Sequence, residues 1–283
     1  MGRFRRWITW NVRGMGSAEK RRSIKDVLKK VKFEVLLIQE TKLGDSSSRT
    51  GERFAKSLNF KFAEVLAVGS AGGLLSCWDP AIINVSEVIK EQNYILLVAQ
   101  VPSLQYKICI GNIYGPKSMS SRREVFTKLV EEIERLDICY CLGGDLNGTL
   151  NHGERRGMLD EVDPNLGDLV SSLNLIDLPL ANADFTWFSS RFGGIWSRLD
   201  RWLLSEMIMR DLEGVNQSAE SWGLSDHRAK SLSMGAVDFG PKPFKFYNSW
   251  MMEEDFNDLV KSWWNSPLLA EWAGANLHDK LKV

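Results

Sequence analysis

The chain has 283 residues, 44% of them hydrophobic and 25% charged. That composition is ordinary for a globular chain with a real core, and its length suits one large α/β domain with additional sequence, or two small domains. Lys plus Arg and Asp plus Glu both number 36, which argues against a strongly basic coat for nonspecific nucleic-acid binding but leaves room for an enzyme that grips a few phosphates in one groove.

Residues 1–10 include Arg3, Arg5 and Arg6 but run into a β-like stretch, and no run approaches roughly 18 apolar residues. Neither a signal peptide nor a membrane span is expected. Trp7 to Val12 is rich in aromatic and β-branched residues and ends at Arg13-Gly14, which reads as a strand and turn. Ser17 followed by Lys20 to Lys30 gives a basic amphipathic helix, with Ile24, Val27, Leu28 and Val31 at helical spacing. Val35 to Glu40 is a short apolar run of the kind found in strands buried on both faces. Further strands are predicted at 61–67, 73–78, 82–89, 94–101 and 106–114. Residues 121–136 carry Val125, Leu129, Val130 and Ile133 on one helical face, and Ile138 to Leu142 is another buried strand, closed by Gly143-Gly144. Beyond a polar stretch (151–165), 166–175 reads as helical and 185–189, 195–204 and 229–233 as extended. Strands with intervening helices favour two packed sheets with helices outside.

The pattern breaks near Gly235 to Pro243, where Gly240-Pro241-Lys242-Pro243 interrupts it. The expected division is therefore a main domain over 1–236 and a linker with a partial helical segment over 237–283. In that segment Phe256, Leu259, Val260 and Trp263 follow helical spacing. Cys77, Cys109, Cys139 and Cys141 lie in apolar runs without CxxC or His-partnered spacing, so they read as buried reduced thiols. The compartment is expected to be reducing, nuclear or cytoplasmic.

Polar side chains able to bind a metal recur at the ends of separate apolar runs. Asn11 ends the first strand and Glu40 the second. Asp145 and Asn147 follow 138–142, Asp200 interrupts 195–204, and Asp226 and His227 precede the last strand. Carboxylates at the ends of buried strands are costly unless a cation or hydrogen-bond donor compensates them. If these ends converge, they form an oxygen-lined site suited to Mg²⁺ or Mn²⁺. Each residue also has a plainer reading: Asn11 and Glu40 as caps, Gly144 to Gly148 as a tight turn, Asp200 in a surface ion pair with Arg198 and Arg201, and Thr186 as an outward-facing strand residue.

Taken in order, Trp10-Asn11-Val12, Gln39-Glu40-Thr41, Asn112-Ile113-Tyr114, Gly144-Asp145-Leu146-Asn147, Ser197-Arg198-Leu199-Asp200 and Ser225-Asp226-His227 resemble the endonuclease/exonuclease/phosphatase superfamily across residues 7–233. The resemblance implies a four-layer α/β/β/α sandwich of the DNase I-like fold and a Mg²⁺-dependent phosphodiesterase, with Mn²⁺ as a substitute. It implies metal-binding roles for Glu40, Asn11 and Asp226. It makes Asp145 the group that orients or deprotonates the attacking water, and Asn147 and Tyr114 donors to phosphate. Asp200 would fix the tautomer of His227, whose ring would stabilise the transition state. Arg13 and Lys117 depart from the pattern of many members by adding positive charge near the cleft, and both read as substrate contacts, together with Thr186.

Trp10 to Gly14, Gly72 to Leu75, Phe185 to Ser189, Ser197 to Arg201 and Lys242 to Trp250 further resemble the endonuclease region of plant-type LINE retrotransposons. That implies DNA as partner, nicking of target DNA to prime reverse transcription, and covalent continuity with a reverse transcriptase region in a parent polyprotein, with no membrane partner. The alternatives are an abasic-site repair endonuclease or another phosphoesterase of the same fold, such as a phosphoinositide phosphatase, and a catalytically silent retrotransposon remnant.

Overall fold

In the computed structural model, the described residues are 5–234 apart from 30, 45–48, 70, 158–161, 191–193 and 213, together with 256, 258, 261 and 262. The elements in chain order are β1 (Arg5–Asn11), α1 (Ala18–Leu28), β2 (Val35–Gln39), α2 (Thr50–Lys56), β3 (Lys61–Val65), β4 (Leu74–Trp78), β5 (Asn84–Glu91), β6 (Tyr94–Gln100), β7 (Lys107–Tyr114), α3 (Met119–Leu136), β8 (Cys139–Asp145), β9 (Arg155–Arg156), α4 (Pro164–Ser172), β10 (Leu175–Asp177), β11 (Trp187–Ser189), β12 (Ile195–Ser197), β13 (Asp200–Ser205), α5 (Glu206–Asp211), β14 (Asn216–Ala219) and β15 (Lys230–Met234).

Among the described residues two six-stranded sheets form, in the orders β14-β15-β1-β2-β4-β3 and β10-β13-β8-β7-β6-β5, and β11-β12-β9 makes a small third sheet. Period-two alternation sends successive side chains to opposite faces of a sheet. In β1, Trp7 therefore enters the cluster between the sheets, with Val35, Leu37, Leu97, Ile110, Trp202 and Leu232. Its neighbour Ile8 turns to the outer face, against Ile24 and Leu28 of α1 and Phe54 of α2. On the far side, α3 and α4 cover the second sheet through Phe126, Leu129, Ile133, Leu166 and Leu169. The result is the four-layer α/β/β/α sandwich of the DNase I-like fold. Trp7 and Trp202 meet across the central layer with ring centroids 6.3 Å apart. Each large apolar side chain fully buried there contributes about 1.5–3 kcal/mol.

The helix starts follow from side chains that satisfy free N–H groups. Ser17 accepts from Lys20 N and Ser118 from Ser121 N, while Asp163 accepts from Asn165 N ahead of a proline in the first turn of α4. The helix read at 166–175 is thus shifted to 164–172, because Asp163-Pro164 starts it early. The extended run 195–204 divides into β12 and β13 around Arg198 and Leu199: Arg198 N still donates to Glu154 O, the next position in the β12–β9 register, and from Asp200 the chain pairs with β8. The short α2, α5 and β14 had no periodic signature long enough to register. Cys77, Cys109 and Cys141 are free and buried, whereas Cys139 is only half-buried. No helix among the described residues is long and apolar enough to cross a membrane.

The chain divides into two compact units, Met1–Val237 and Asp238–Val283. In the second, residues 256, 258, 261 and 262 are helical, and Lys261 faces Asp258 at 4.0 Å. The rest of the amphipathic segment expected there lies outside the described residues.

Two parallel pairs, β1 with β2 and β7 with β8, run side by side at the centres of their sheets and deliver their C-terminal ends to one edge of the sandwich. At Gly143 an added Cβ would stand 2.6 Å from the Trp202 ring, and at Gly144 it would overlap the Ile113 carbonyl. These glycines let β8 approach its neighbours closely enough to present Asp145. Gly144→Ala is expected to lower stability in urea denaturation by about 1–3 kcal/mol or more, the usual cost of overpacking; an unchanged midpoint would contradict this close approach.

Candidate active site

The strand ends bring Asn11, Glu40, Asp145, Asp200 and His227 into one hydrogen-bonded network that passes repeatedly from sheet to sheet. Asn11, at the end of β1, donates from Nδ2 to Glu40 Oε1 at 3.1 Å and to Asp145 Oδ2 at 2.7 Å. Its Oδ1 accepts from Arg13 N at 3.0 Å, so all three partners agree with one orientation of the amide. Glu40 follows β2 with φ +50°, and Arg13 and Asn147 have φ +52° and +50°. Left-handed backbone is uncommon for residues other than glycine and is concentrated at functional sites.

Asp145 lies on β8 beside Asp200 of β13, its paired position in the ladder. Asp200 accepts from His227 Nδ1 at 3.0 and 3.1 Å. His227 Nε2 then points toward Asp145 Oδ2 at 3.7 Å, too long for a hydrogen bond, and is a buried nitrogen with no hydrogen-bond partner among the described residues. Two bonds pin the histidine backbone, and a third anchors one of its partners. Trp10 Nε1 donates to His227 O, His227 N donates to Ser225 Oγ, and Ser225 Oγ donates to Asn11 O.

Burial alone would push every carboxyl here upward, and the partners decide the outcome. For Glu40 the donors Asn11, Arg13 and Tyr114 outweigh burial, and its pKa is lowered. For Asp200 the neighbouring His227 and Lys230 cations outweigh it, also downward. Burial disfavours the His227 imidazolium, but Asp200 and Asp145 overcome it and raise the pKa. Asp145 goes the other way. Burial, reinforced by the charge of Asp200, outweighs His227 and the Asn11 bond and lifts it to about 6.

The remaining expected residues have more specific placements. Tyr114 Oη donates to Glu40 Oε1 at 3.0 Å, so its hydroxyl is committed to that carboxylate. Asn147 donates from Nδ2 to Gly115 O and from its backbone N to Asp145 Oδ1. Lys117 lines an open cleft of about 550 Å³ with Arg13, Glu40, Lys42 and Tyr114. Asp226 accepts from Arg13 Nε at 3.0 Å and from Trp187 Nε1 at 2.9 Å, which ties it to an arginine that the sequence assigned to substrate. Thr186 was expected at the cleft but is fully buried. Its hydroxyl accepts from Leu199 N and Asp200 N at 2.9 and 3.1 Å, so it acts on the site through the Asp200 backbone. The surface pairing considered for Asp200 does not occur either. Arg198 and Arg201 pair with Glu154 and Asp177, leaving Asp200 to His227.

Three groups escaped the sequence reading. Lys230 is fully buried, 3.8 Å from Asp200 Oδ2, and burial lowers its pKa to about 8; a lone lysine in the strand after His227 was the available signal. Lys42 Nζ stands 3.7 Å from Glu40 Oε2. Asn112, quoted only as part of a motif, joins the sheets by donating to Ile38 O, Leu75 O and Ser76 Oγ and accepting from Gln39 Nε2.

A divalent cation suits this donor set. Asp145, Asp200 and His227 offer atoms within 4.8 Å of one another, but both Asp200 oxygens are engaged by His227 Nδ1. Glu40 Oε2 accepts no hydrogen bond among the described residues and is the oxygen most available to a hard cation; Asp145 accepts one on each oxygen, from Asn11 Nδ2 and Asn147 N, and its raised pKa marks a buried carboxylate short of compensating charge.

The chain belongs to the Endonuclease/Exonuclease/phosphatase family, whose sequence profile matches residues 8–227. No functionally curated protein sequence matches it. Among solved structures it is similar to the AP endonuclease LMAP from Leishmania major, at 17% identity over 82% of this chain and 88% of that one, with a TM-score of 0.66. It is also similar to an AP endonuclease from Archaeoglobus fulgidus, at 14% identity, 82% and 99% coverage and a TM-score of 0.65. A third is the 3′ phosphatase NExo from Neisseria bound to a product DNA hairpin, at 15% identity, 82% and 99% coverage and a TM-score of 0.64. At these identities the likeness is one of fold. The family makes the chain a phosphoesterase or nuclease by class, and its enzymes depend on divalent metals.

The charge imbalance at Asp145 has a measurable consequence. Its pKa is about 6 in the folded protein against an ordinary 3.8, so the folded state binds this proton more tightly than the unfolded state. Its contribution to stability is full below about pH 4 and is lost as pH rises through about 6. In chelator, the stability of Asp145→Asn relative to the parent is expected to rise by roughly 2–3 kcal/mol between pH 4 and pH 7.5, on top of a pH-independent cost for the amide NH₂ that then faces the Asn11 or Asn147 donor. Parallel stability curves over that range would contradict the assignment.

Proposed function

We propose that this chain is a metal-dependent DNA endonuclease that nicks target DNA to prime reverse transcription in a LINE-type element. The observation that carries the nuclease reading is the unsatisfied His227 Nε2, held by Asp200 beside Asp145, which Asn11 links to Glu40 on an open cleft also lined by Arg13, Lys42 and Lys117. A phosphodiester in an extended polymer supplies the missing acceptor for Nε2 and places its neighbouring phosphates near the cleft lysines. An open groove of this kind suits a long polyanion better than a small enclosed ligand. The LINE reading rests on the motifs at 10–14, 72–75, 185–189 and 197–201, and on the tail 242–250 as the connector to a reverse transcriptase region. That tail lies outside the described residues.

His227, raised toward the imidazolium, donates from Nε2 to a phosphate oxygen on which charge accumulates. Asp200 keeps the Nδ1 proton in place and the ring in its plane. Asp145, whose Oδ2 lies 3.7 Å from His227 Nε2, is placed to orient the attacking water and take up its proton. As the water oxygen bonds to phosphorus, the bond to the leaving 3′ oxygen breaks, and that oxygen takes a proton from solvent to become the 3′-hydroxyl that priming requires. Glu40 and Asp145 would hold the divalent ion, with Asn11 fixing the two carboxylates. When bound, that ion acts as Lewis acid on the phosphate and stabilises the leaving alkoxide.

A second reading, an abasic-site endonuclease, is favoured by the fold likeness to AP endonucleases. Supercoiled plasmid, abasic duplex and an inositol phosphate, assayed in parallel with and without Mg²⁺, separate the readings. Nicking of intact plasmid supports the first, cleavage of abasic duplex alone the second, and activity on neither DNA overturns both. On the preferred DNA, His227→Ala is expected to lose about 10²–10³ in rate with no recovery in excess Mn²⁺. Glu40→Ala is expected to recover part of its loss in Mn²⁺. Equal recovery of both variants would contradict this division of roles.

A further inference from the structure

The sequence assigned Arg13 to the substrate and Glu40 and Asp226 to the metal, yet the structure binds these three to one another. Arg13 Nη1 donates to Glu40 Oε1 at 2.8 Å, and Arg13 Nε donates to Asp226 Oδ1 at 3.0 Å. One guanidinium thus spans two carboxylates with two of its donors, a geometry that its rigid fork provides. The arginine side chain is 26% exposed and Glu40 5% exposed, so this contact is shielded from much of the solvent. Asp226 is also held by Trp187 Nε1 and Ser225 Oγ. The arrangement is a closed one on the Asp226 side of Glu40 and an open one on the other side, where Oε2 faces the cleft and Lys42.

Charge points the same way. Glu40, Asp145, Asp200 and Asp226 supply four negative charges. Arg13, Lys42, Lys230 and the His227 imidazolium supply four positive ones at 2.8–3.8 Å from these carboxylates. A single divalent ion together with the single charge of one phosphodiester leaves the network with one positive charge in excess. A second divalent ion raises that excess to three, which is costly in a partly buried setting.

We propose that Arg13 is a built-in cation that occupies the Glu40–Asp226 gap and restricts the centre to one divalent ion, held on the Glu40 Oε2 and Asp145 side. The proposal rests on the metal-dependent reading of the site. Without the guanidinium that now bridges them, these two carboxylates have no positive charge between them, and a second hard cation is the natural occupant. Arg13 is therefore a positioning residue in this respect, acting on the number of ions through Glu40 and Asp226.

The test is a count of bound Mn²⁺ on the full chain, by electron paramagnetic resonance of the free ion during titration, with no substrate present. Arg13→Asn is the informative variant because asparagine tolerates the left-handed backbone at this position (φ +52°). Arg13→Lys, which keeps a positive charge there, controls for folding together with circular dichroism. The parent and Arg13→Lys are expected to bind one Mn²⁺, and Arg13→Asn two. Two ions on the parent or on a folded Arg13→Lys, or one ion on a folded Arg13→Asn, overturns the proposal while leaving the metal-dependent reading intact. No ion on any of the three overturns that reading and the proposal with it.

Discussion

The structure turns on one amide. Asn11 Nδ2, at the end of a strand in the first sheet, donates to a carboxylate of its own sheet and to one of the opposite sheet. Glu40 and Asp145 repel each other and both lose hydration, so two acids at this distance need a shared donor to coexist. A side-chain amide with its oxygen fixed by Arg13 N provides it at no charge of its own. That leaves the balance of charge to be set by the surrounding cations and by whatever binds in the cleft. The apolar layer between the sheets places the amide: Trp7, Leu37, Trp202 and their neighbours set the sheet separation, and the polar edge is built at that spacing.

The second half of the network repeats the logic with a different donor. His227, just ahead of β15 in the first sheet, reaches Asp200 of β13 in the second. Thr186 secures the Asp200 backbone, and Trp10, Ser225 and the β11 segment secure the His227 backbone. The ring is therefore clamped on one nitrogen and open on the other. A buried ring nitrogen without a partner costs stability, and such a cost is understandable where the partner is a substrate atom.

Much of this was legible in the sequence for a simple physical reason. A strand buried on both faces is almost wholly apolar, so a carboxylate, amide or imidazole at its end stands out, and Asn11, Glu40, Asp145, Asp200 and His227 were found that way. The four-layer arrangement followed from the same apolar runs and from the family resemblance. What sequence spacing does not encode is which charge faces which. Arg198 and Arg201 flank Asp200 in the chain, but strand alternation and the turn at Leu199 send both guanidinium groups to Glu154 and Asp177. Arg13 follows Asn11 by two residues and looked available to substrate; its left-handed backbone turns it back onto Glu40 and Asp226. Thr186 read as an outward-facing or cleft residue because a hydroxyl in a short strand has no sequence mark of burial. Lys230 was passed over because one lysine in an apolar strand resembles an edge residue, yet it lies beneath Asp200.

The account's central claim is that Glu40 and Asp145 present one face to a hard cation while His227 Nε2 faces a phosphate oxygen across the same cleft. A crystal structure of the full chain with Mn²⁺ and a short DNA duplex tests this most directly, because manganese is located by its anomalous signal. The account predicts one manganese peak about 2.0–2.2 Å from oxygens of Glu40 and Asp145, and a phosphate oxygen within hydrogen-bond distance of His227 Nε2. Manganese bound elsewhere, or a DNA backbone that leaves His227 Nε2 without an acceptor, would contradict it.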